Sequence, residues 1–172
     1  MADAIALVII LIVLITHAYA TFIAAPWTPI KKSDINRLIG LAEIKDSDIV
    51  YDLGAGDGRI VLEIAKQFPT TRVVGFEISI TLFLVAVARL RLAGVRNARI
   101  LFKNFYKQNL AEANVVTIFL MPFAMKKLER QFKSQLKPGT RILSYCFPLP
   151  ESQGETDKPT KNDRAIYKYV VR

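Results

Sequence analysis

The sequence has little of what metal and redox sites are made from. Its 172 residues include one cysteine, Cys146, and one histidine, His17. A single cysteine excludes an internal disulfide and a zinc site built from four cysteines. His17 lies in an apolar run far along the chain from any carboxylate partner, which argues against a Ser-His-Asp hydrolase. We therefore expect no metal site.

Acidic residues are also scarce, with 15 Asp and Glu against 24 Lys and Arg, giving a net charge of +9. Apolar residues make up 52% of the chain, which excludes a disordered or low-complexity protein. The length suits one ordinary domain. The excess of positive charge favours an anionic partner or location.

The N-terminal part has almost no charge. No charged residue occurs between Asp3 and Lys31, and Ile5 to Ile15 is an unbroken aliphatic run. Residues 4–25 match the roughly 20 residues that a helix needs to cross a bilayer. Lysines on one side and Asp3 on the other place the lysine side in the cytoplasm. The sequence thus predicts a single-pass membrane anchor with the rest of the chain on the cytoplasmic (or organelle-matrix) side.

A secretory signal and a buried core helix are the two alternatives for this run. Ala18-Tyr19-Ala20 has the small-x-small pattern of a cleavage site, but the first four residues carry no Lys or Arg. A core helix should have a polar face, and this one has almost none. We favour the anchor and divide the chain into an anchor with its connector, 1–32, and a domain, 33–172.

Short apolar strands alternate with helical periodicities in the rest of the chain. Continuous apolar strands separated by helices indicate a parallel sheet that is covered on both faces. Pro148 to Arg164 is polar and turn-rich, and residues 165–171 read as a last, antiparallel strand at the edge. We predict an α/β fold, a doubly wound and mostly parallel Rossmann-like sheet with one antiparallel edge strand. The other strands are predicted at 49–53, 72–77, 99–102, 114–120 and 141–146, with helices at 58–68, 80–93 and 124–136.

A glycine-rich turn, Asp52-Leu53-Gly54-Ala55-Gly56-Asp57-Gly58-Arg59, follows the first strand and opens a helix. Glycines at this place let the backbone turn sharply and let a ligand lie against it. A dinucleotide site would need its third glycine at the position of Arg59. Asp57, beside the helix N-terminus, should also repel a diphosphate.

Glu77 ends the second strand, where a carboxylate accepts the ribose hydroxyls of an adenosine. This suits S-adenosylmethionine or unphosphorylated NAD. Asp52 is placed to hold the ammonium of a methionine moiety, directly or through water. Two carboxylates suit a cationic sulfonium and amine, whereas an NAD-dependent reductase would need a diphosphate loop that the sequence does not clearly offer.

The glycine turn together with Glu77 resembles the seven-strand (class I) S-adenosylmethionine-dependent methyltransferases over residues 33–146. A narrower resemblance adds the N-terminal apolar helix, the Pro26–Pro29 segment and Cys146-Phe147-Pro148-Leu149-Pro150. These features occur together in the membrane-anchored protein-lysine methyltransferases that modify the c-subunit of ATP synthase and the adenine nucleotide translocase, and in their prokaryotic relatives. The resemblance implies S-adenosyl-L-methionine as cofactor and a membrane-associated protein that presents a lysine as substrate. It implies cofactor contacts at Asp52, Gly54, Ala55, Gly56, Asp57, Gly58, Glu77, Ile78, Asn104 and Phe105.

Two positions depart from the family. Ile30 stands where a hydroxyl residue is usual, and Asn104 stands where an aspartate usually reads the adenine amino group. An amide offers both an acceptor and a donor to the adenine, so we expect binding to survive.

The acceptor mouth is predicted at the carboxyl end of the sheet. It would be formed by Pro26, Trp27, Thr28, Pro29, Met121 and Pro122, with Tyr106 positioning the acceptor. Core packing is the alternative for each aromatic residue taken singly. Leu120-Met121-Pro122-Phe123 lacks the polar residue and second proline of base-amine methylases, which argues against an adenine substrate.

A basic stretch from Arg89 to Lys107 holds six Lys or Arg, and no acidic residue lies between Glu77 and Glu112. It is interpreted as a solvated face, a contact with anionic lipid headgroups or a nucleic-acid site. The anchor favours lipid over nucleic acid. A small-molecule or lipid methyltransferase and a non-catalytic adaptor that retains the fold remain alternative functions.

Overall fold

A seven-stranded sheet organises the chain; six of its strands run in one direction and one runs opposite to them. The computed structural model describes residues 2–23 and 27–172, without the side chains of residues 2, 9, 17, 20, 21 and 23. The strands are β1 Ile49–Leu53, β2 Arg72–Glu77, β3 Ala98–Phe102, β4 Val115–Ile118, β5 Arg141–Tyr145, β6 Glu155–Asp157 and β7 Ile166–Val170. Their order across the sheet is β3-β2-β1-β4-β5-β7-β6. The helices are α1 Ala2–Ile23, α2 Lys32–Ala42, α3 Arg59–Gln67, α4 Ile80–Leu92 and α5 Pro122–Gln135, with one 3₁₀ turn at Phe105–Lys107.

Helices cover both faces of the sheet. The apolar residues of α2, α3 and α4 pack on one face, and those of α5 pack on the other. The central strands β1, β4 and β5 are buried almost throughout, which is why their sequences do not alternate between apolar and polar residues. The predicted doubly wound, Rossmann-like sheet is therefore confirmed.

The strand order reverses between β1 and β4, so the loops after these two strands leave in opposite directions. A crevice opens at such a point, outside the carboxyl ends of the strands. The glycine turn follows β1, and Met121 and Pro122 follow β4. The topology thus brings two of the predicted site segments to one crevice.

The antiparallel end of the sheet differs in part from the prediction. β7 is antiparallel to β5 as expected, but β6 pairs with its outer side and forms the edge. β6 lies inside the stretch predicted as a polar loop. Glu155-Thr156-Asp157 pairs through its backbone and has no apolar alternation, so the sequence contains no periodic signal for it.

α1 leaves most of its described apolar side chains exposed, with Ile5, Leu14 and Ile15 all about 60% accessible. It packs against the rest of the chain through α4. Among residues 2–23 and 27–172, no helix combines the length and apolarity required to cross a membrane. The remaining predicted anchor positions, 24 and 25, and Pro26 of the connector lie outside the described residues.

Candidate active site

A cavity of about 570 Å³ opens at the carboxyl ends of β1, β2, β4 and β5. Its walls come from the glycine turn, the end of β2, the loops after β4 and β5, and the connector before α2. The predicted residues that line it are Trp27, Thr28, Pro29, Asp52, Gly54, Ala55, Gly56, Asp57, Glu77, Ile78, Phe105 and Met121.

The glycine turn is held to β2 through its backbone. The amides of Gly54 and Ala55 both donate to the carbonyl of Phe76, at 3.0 and 2.9 Å. The Gly56 amide donates to Glu77 Oε2 at 2.8 Å. The other carboxylate oxygen of Glu77 accepts from the amides of Ile78 and Ser79, so this side chain joins the turn to the start of α4.

Two glycines of the turn are required by their conformation and by close contacts. Gly56 has φ +55°, and a Cβ there would lie 3.0 Å from Cδ1 of Trp27. Gly58 has φ +76°, and a Cβ there would lie 2.9 Å from the Cβ of Ala86 on α4. L-residues with side chains rarely adopt such φ values. The turn therefore presents bare backbone to Trp27 at Gly56 and to α4 at Gly58.

Asp52 is a buried carboxylate that faces the cavity with one oxygen unpartnered. It is 2% exposed, and its Oδ1 accepts a hydrogen bond from the Thr117 hydroxyl at 2.7 Å. Oδ2 has no hydrogen-bond partner among the described residues. Burial raises the pKa of Asp52 to about 7, opposed by the Thr117 bond and reinforced by the charges of Glu77 and Asp57. Such a group needs a cation, and the ammonium of a methionine moiety would supply one.

Asp57 is neutralised by two arginines. Arg59 donates to both of its oxygens, at 2.7 to 3.2 Å, and Arg89 of α4 donates to Oδ2 at 2.8 Å. Burial by itself raises the pKa of Asp57, but the Arg59 hydrogen bonds and the charges of Arg59 and Arg89 hold it below its usual value. These two arginines compensate the charge of Asp57, which weakens the repulsion of a diphosphate that the sequence predicts. Asp52 and Glu77 carry the remaining preference for a cationic ligand.

The connector lies over the glycine turn. Besides the contact of Trp27 with Gly56, Arg59 donates to the carbonyl of Ile30 at 2.9 Å, and its guanidinium lies 5.9 Å from the centre of the Trp27 ring. Residues 27–31 are therefore part of the cavity wall. Arg59 holds this stretch against the glycine turn, because its guanidinium donates both to Asp57 and to the carbonyl of Ile30.

The far wall of the cavity contains residues that the sequence did not single out. Tyr145 at the end of β5 packs edge-on against Phe119, with ring centres 4.7 Å apart, and its hydroxyl donates to Asp34 Oδ2 at 2.6 Å. Burial and this bond raise the pKa of Tyr145. Arg37 on α2 forms ion pairs with Asp34 and Asp157, and the neighbouring residues Asn162, Asp163 and Arg164 line the cavity. The only sequence feature that indicates this wall is the polar, turn-rich stretch from Pro148 to Arg164, which contains three of its residues.

Four described residues of the prediction do not line the cavity: Gly58, Asn104, Tyr106 and Pro122. The side-chain oxygen of Asn104 accepts from the Tyr106 amide and caps the 3₁₀ turn. The Tyr106 hydroxyl donates to the carbonyl of Ala124, its ring lies 4.2 Å from Lys127 Nζ, and burial raises its pKa to about 12. The catalytic role predicted for Tyr106 and the adenine contact predicted for Asn104 stay predictions.

Comparison with known proteins identifies the chain. The family model of the ANTKMT methyltransferase domain matches residues 52–156. A protein-lysine N-methyltransferase from Saccharolobus islandicus is 34% identical over 151 residues, which are 85% of this chain and 93% of that protein. The chain belongs to the ANTKMT methyltransferase family. The predicted class I, S-adenosylmethionine-dependent methyltransferase is thereby confirmed.

Two further proteins similar to this methyltransferase bear on its cofactor and its length. The mouse lysine N-methyltransferase named for the c-subunit of ATP synthase is 30% identical over 74% of this chain, which spans about half (51%) of the mouse protein. The crystal structure of an RNA methyltransferase from Salinibacter ruber in complex with S-adenosyl-L-homocysteine has a TM-score of 0.79 and 31% identity, covering 84% of this chain and 94% of its own. The cofactor of this methyltransferase is S-adenosyl-L-methionine.

The cavity of this methyltransferase fits that cofactor. The orphaned oxygen of Asp52 offers a partner for the methionine ammonium. Gly54 and Gly56 line the cavity with φ values of +82° and +55°, so the methionine moiety would lie against backbone at both positions. Glu77 faces the cavity from the end of β2, where its carboxylate can accept from a ribose hydroxyl. Within the described residues no cluster of His, Cys, Asp and Glu is arranged to hold a metal ion.

Proposed function

We propose that this chain is a protein-lysine N-methyltransferase that acts on a membrane-associated protein. The observation that carries the proposal is the similarity to the Saccharolobus protein-lysine N-methyltransferase along 93% of that protein. The mouse relative, whose name gives the c-subunit of ATP synthase as its substrate, supports it.

The cofactor-binding side of the cavity is assigned from charge and contact. Asp52 holds the ammonium of the methionine moiety, and Glu77 orients the ribose while it keeps the glycine turn in place through the Gly56 amide. When bound, the cofactor supplies a methyl group already activated on a sulfonium. The protein therefore has to align the acceptor amine with that methyl group and keep water out.

The acceptor side of the cavity carries apolar and aromatic side chains beside the polar wall of Asp34, Asn162, Asp163 and Arg164. Trp27, Phe119, Met121, Tyr145 and Phe147 line it. A lysine amine is protonated in water, and an apolar wall lowers its pKa because desolvation disfavours the charged form. These side chains would deliver the lysine in its neutral, nucleophilic form and confine it near the methyl group.

Attachment to a membrane is the second part of the proposal. Residues 4–25 anchor the chain, residues 1–32 form the anchor and connector, and the methyltransferase domain of residues 33–172 lies on the cytoplasmic or organelle-matrix side. The uncharged sequence that follows Asp3 and ends at Lys31 and Lys32 supports this orientation. Anionic lipid headgroups, in preference to nucleic acid, are the proposed partners of the basic stretch from Arg89 to Lys107.

Transfer of a labelled methyl group tests the proposed substrate class. The full chain is incubated with S-adenosylmethionine carrying a radioactive methyl group and with a membrane extract, which is then separated into protein, lipid and RNA. Label is expected in protein, and acid hydrolysis should recover it as methyl-lysine. Label in lipid or in RNA would contradict the proposal, the latter in favour of an activity like that named for the Salinibacter relative. An Asp52→Asn variant is the matched control, since it should lose label in every fraction.

Orientation is tested separately. A reporter fused after Arg172 should be active inside the cell and should stay with the membrane through an alkaline wash. A shortened, exported form that begins at Thr21 would instead support the signal-peptide interpretation.

A further inference from the structure

α4 is apolar on the face that points away from the domain as well as on the face that packs. Ala86 and Leu90 are buried against the sheet, whereas Leu84 and Leu92 are 58% and 91% exposed. Leu84, Ala88 and Leu92 are four positions apart and share one side of the helix. A helix on the surface of a soluble domain usually places charged or polar residues there.

The exposed apolar surface continues from α4 onto the edge of the sheet. Phe83 of α4 packs against Phe102 at the end of β3, with ring centres 5.4 Å apart. Phe102 is itself 48% exposed, and β3 lies at one edge of the sheet. We call the surface formed by Leu84, Val85, Ala88, Leu92 and Phe102 the α4 face.

Four exposed cations lie within residues 91–103, the stretch that also carries Leu92 and Phe102: Arg91, Arg96, Arg99 and Lys103. In the part of the chain that the structure describes, none of the four forms a salt bridge. No acidic residue occurs between Glu77 and Glu112. The α4 face is therefore an apolar surface with cations and no anions on the segment that carries it.

This combination selects one occupant. A second copy of the chain would bring the same cations against these, and like charges disfavour such an interface. RNA would use the cations but would leave Leu84 and Leu92 in water. A bilayer surface with anionic headgroups satisfies both, because the apolar side chains enter the headgroup boundary while arginine and lysine meet the phosphates.

Two contacts link the α4 face to the rest of the molecule. α1, the proposed anchor, packs against α4, so both apolar surfaces belong to neighbouring helices. On its inner side α4 contacts the glycine turn, through Arg89 to Asp57 and through Ala86 to Gly58. A membrane that held α4 would therefore also fix the orientation of the active-site crevice.

We propose that the α4 face is a membrane-contact surface that inserts shallowly between anionic phospholipids beside the anchor. The proposal rests on the proposed membrane attachment and deepens it: the domain lies against the bilayer with α4 inward, so that lysines close to the membrane surface reach the cavity.

An environment-sensitive fluorophore tests this contact in the full chain. Cys146→Ser removes the native thiol, and Leu92→Cys provides a single labelling site that is already exposed. Ser134→Cys is the matched control, since Ser134 is exposed on α5, on the opposite face of the sheet. Each labelled protein is reconstituted into vesicles of phosphatidylcholine, or of equal parts phosphatidylcholine and phosphatidylglycerol.

The expected result is a blue shift and brighter emission at position 92 in the phosphatidylglycerol vesicles, with quenching by spin-labelled lipid. Position 134 should not change. Reversing three charges (Arg91→Glu, Arg96→Glu, Arg99→Glu) should abolish the shift at position 92 while the protein still floats with the vesicles through its anchor.

Three results would overturn the proposal. Flotation without a shift at position 92 would leave the anchor intact and refute the α4 face alone. A shift that grows with protein concentration in the absence of vesicles would assign the face to a second copy. Failure to float would refute both the anchor and this surface, whereas lysine methylation, measured on the unlabelled wild-type protein, reports the proposed enzymatic function independently.

Discussion

Cofactor affinity should fall in mild acid, because Asp52 must be ionised to bind the methionine ammonium. Burial raises the pKa of Asp52 to about 7 in the free protein. A bound cation lowers that pKa, so protons compete with the cofactor at any pH below about 7. The ionised fraction of a group with this pKa falls up to about 25-fold between pH 7.5 and pH 5.5, and affinity should fall with it.

Calorimetric titration with S-adenosylhomocysteine across this range measures the effect directly. Repeating it in buffers of different ionisation enthalpy counts the protons exchanged. Binding should release protons, about half of one at pH 7 and more in acid. The sole histidine of the sequence, His17, is replaced by glutamine in a control, because imidazole is the side chain whose ordinary pKa lies in this window.

Asp52→Asn separates the carboxylate from its surroundings. The amide has almost the same size, and its oxygen can still accept the Thr117 hydroxyl. We expect weaker binding at neutral pH and a flat profile in acid. The reasoning is refuted if the wild-type affinity does not change with pH, or if the asparagine variant keeps the same slope.

Three more outcomes are expected from single sites. Gly56→Val should lose S-adenosylhomocysteine binding in a thermal-shift assay. A side chain at φ +55° costs roughly 1–3 kcal/mol and meets Trp27. The control Gly40→Ala, which has open space around it, should bind normally. Arg141→Met should lower the free energy of unfolding in urea by about 3–5 kcal/mol, since it leaves the buried Asp48 carboxylate, 2.6 Å away, without its cation; cofactor affinity should not follow. Trp27→Ala should lower kcat on a lysine peptide more than Trp27→Phe does, because the ring closes the cavity over the glycine turn, and equal kcat values would exclude that role.

The strands of the sheet were predictable because burial on both faces leaves a direct record in the sequence. β1 and β2 have the bounds expected from their continuous apolar runs, and α4 differs from its prediction by one residue at its end. β6 was missed because three polar residues pair through the backbone and leave no pattern of side chains.

The cofactor side of the cavity was predictable for a related reason. Glycines and carboxylates at the ends of adjacent parallel strands must meet at one edge of the sheet, and Asp52, Gly56 and Glu77 do so. The acceptor side was not predictable from the sequence, because its residues come from distant parts of the chain. Asp34 and Tyr145, for example, form their hydrogen bond across 111 positions. The compensation of the Asp57 charge was not predictable for the same reason, because its partner Arg89 comes from another helix.

Tandem mass spectrometry of membrane proteins is the most direct test of the central claim, that this chain moves a methyl group from S-adenosylmethionine to a protein lysine. Proteins from cells that express the chain are compared with those from cells that lack it and from cells that express Asp52→Asn. We predict methylated lysine on at least one membrane-associated protein in the first sample and its absence from the other two. Identical lysine methylation in all three samples would contradict the claim.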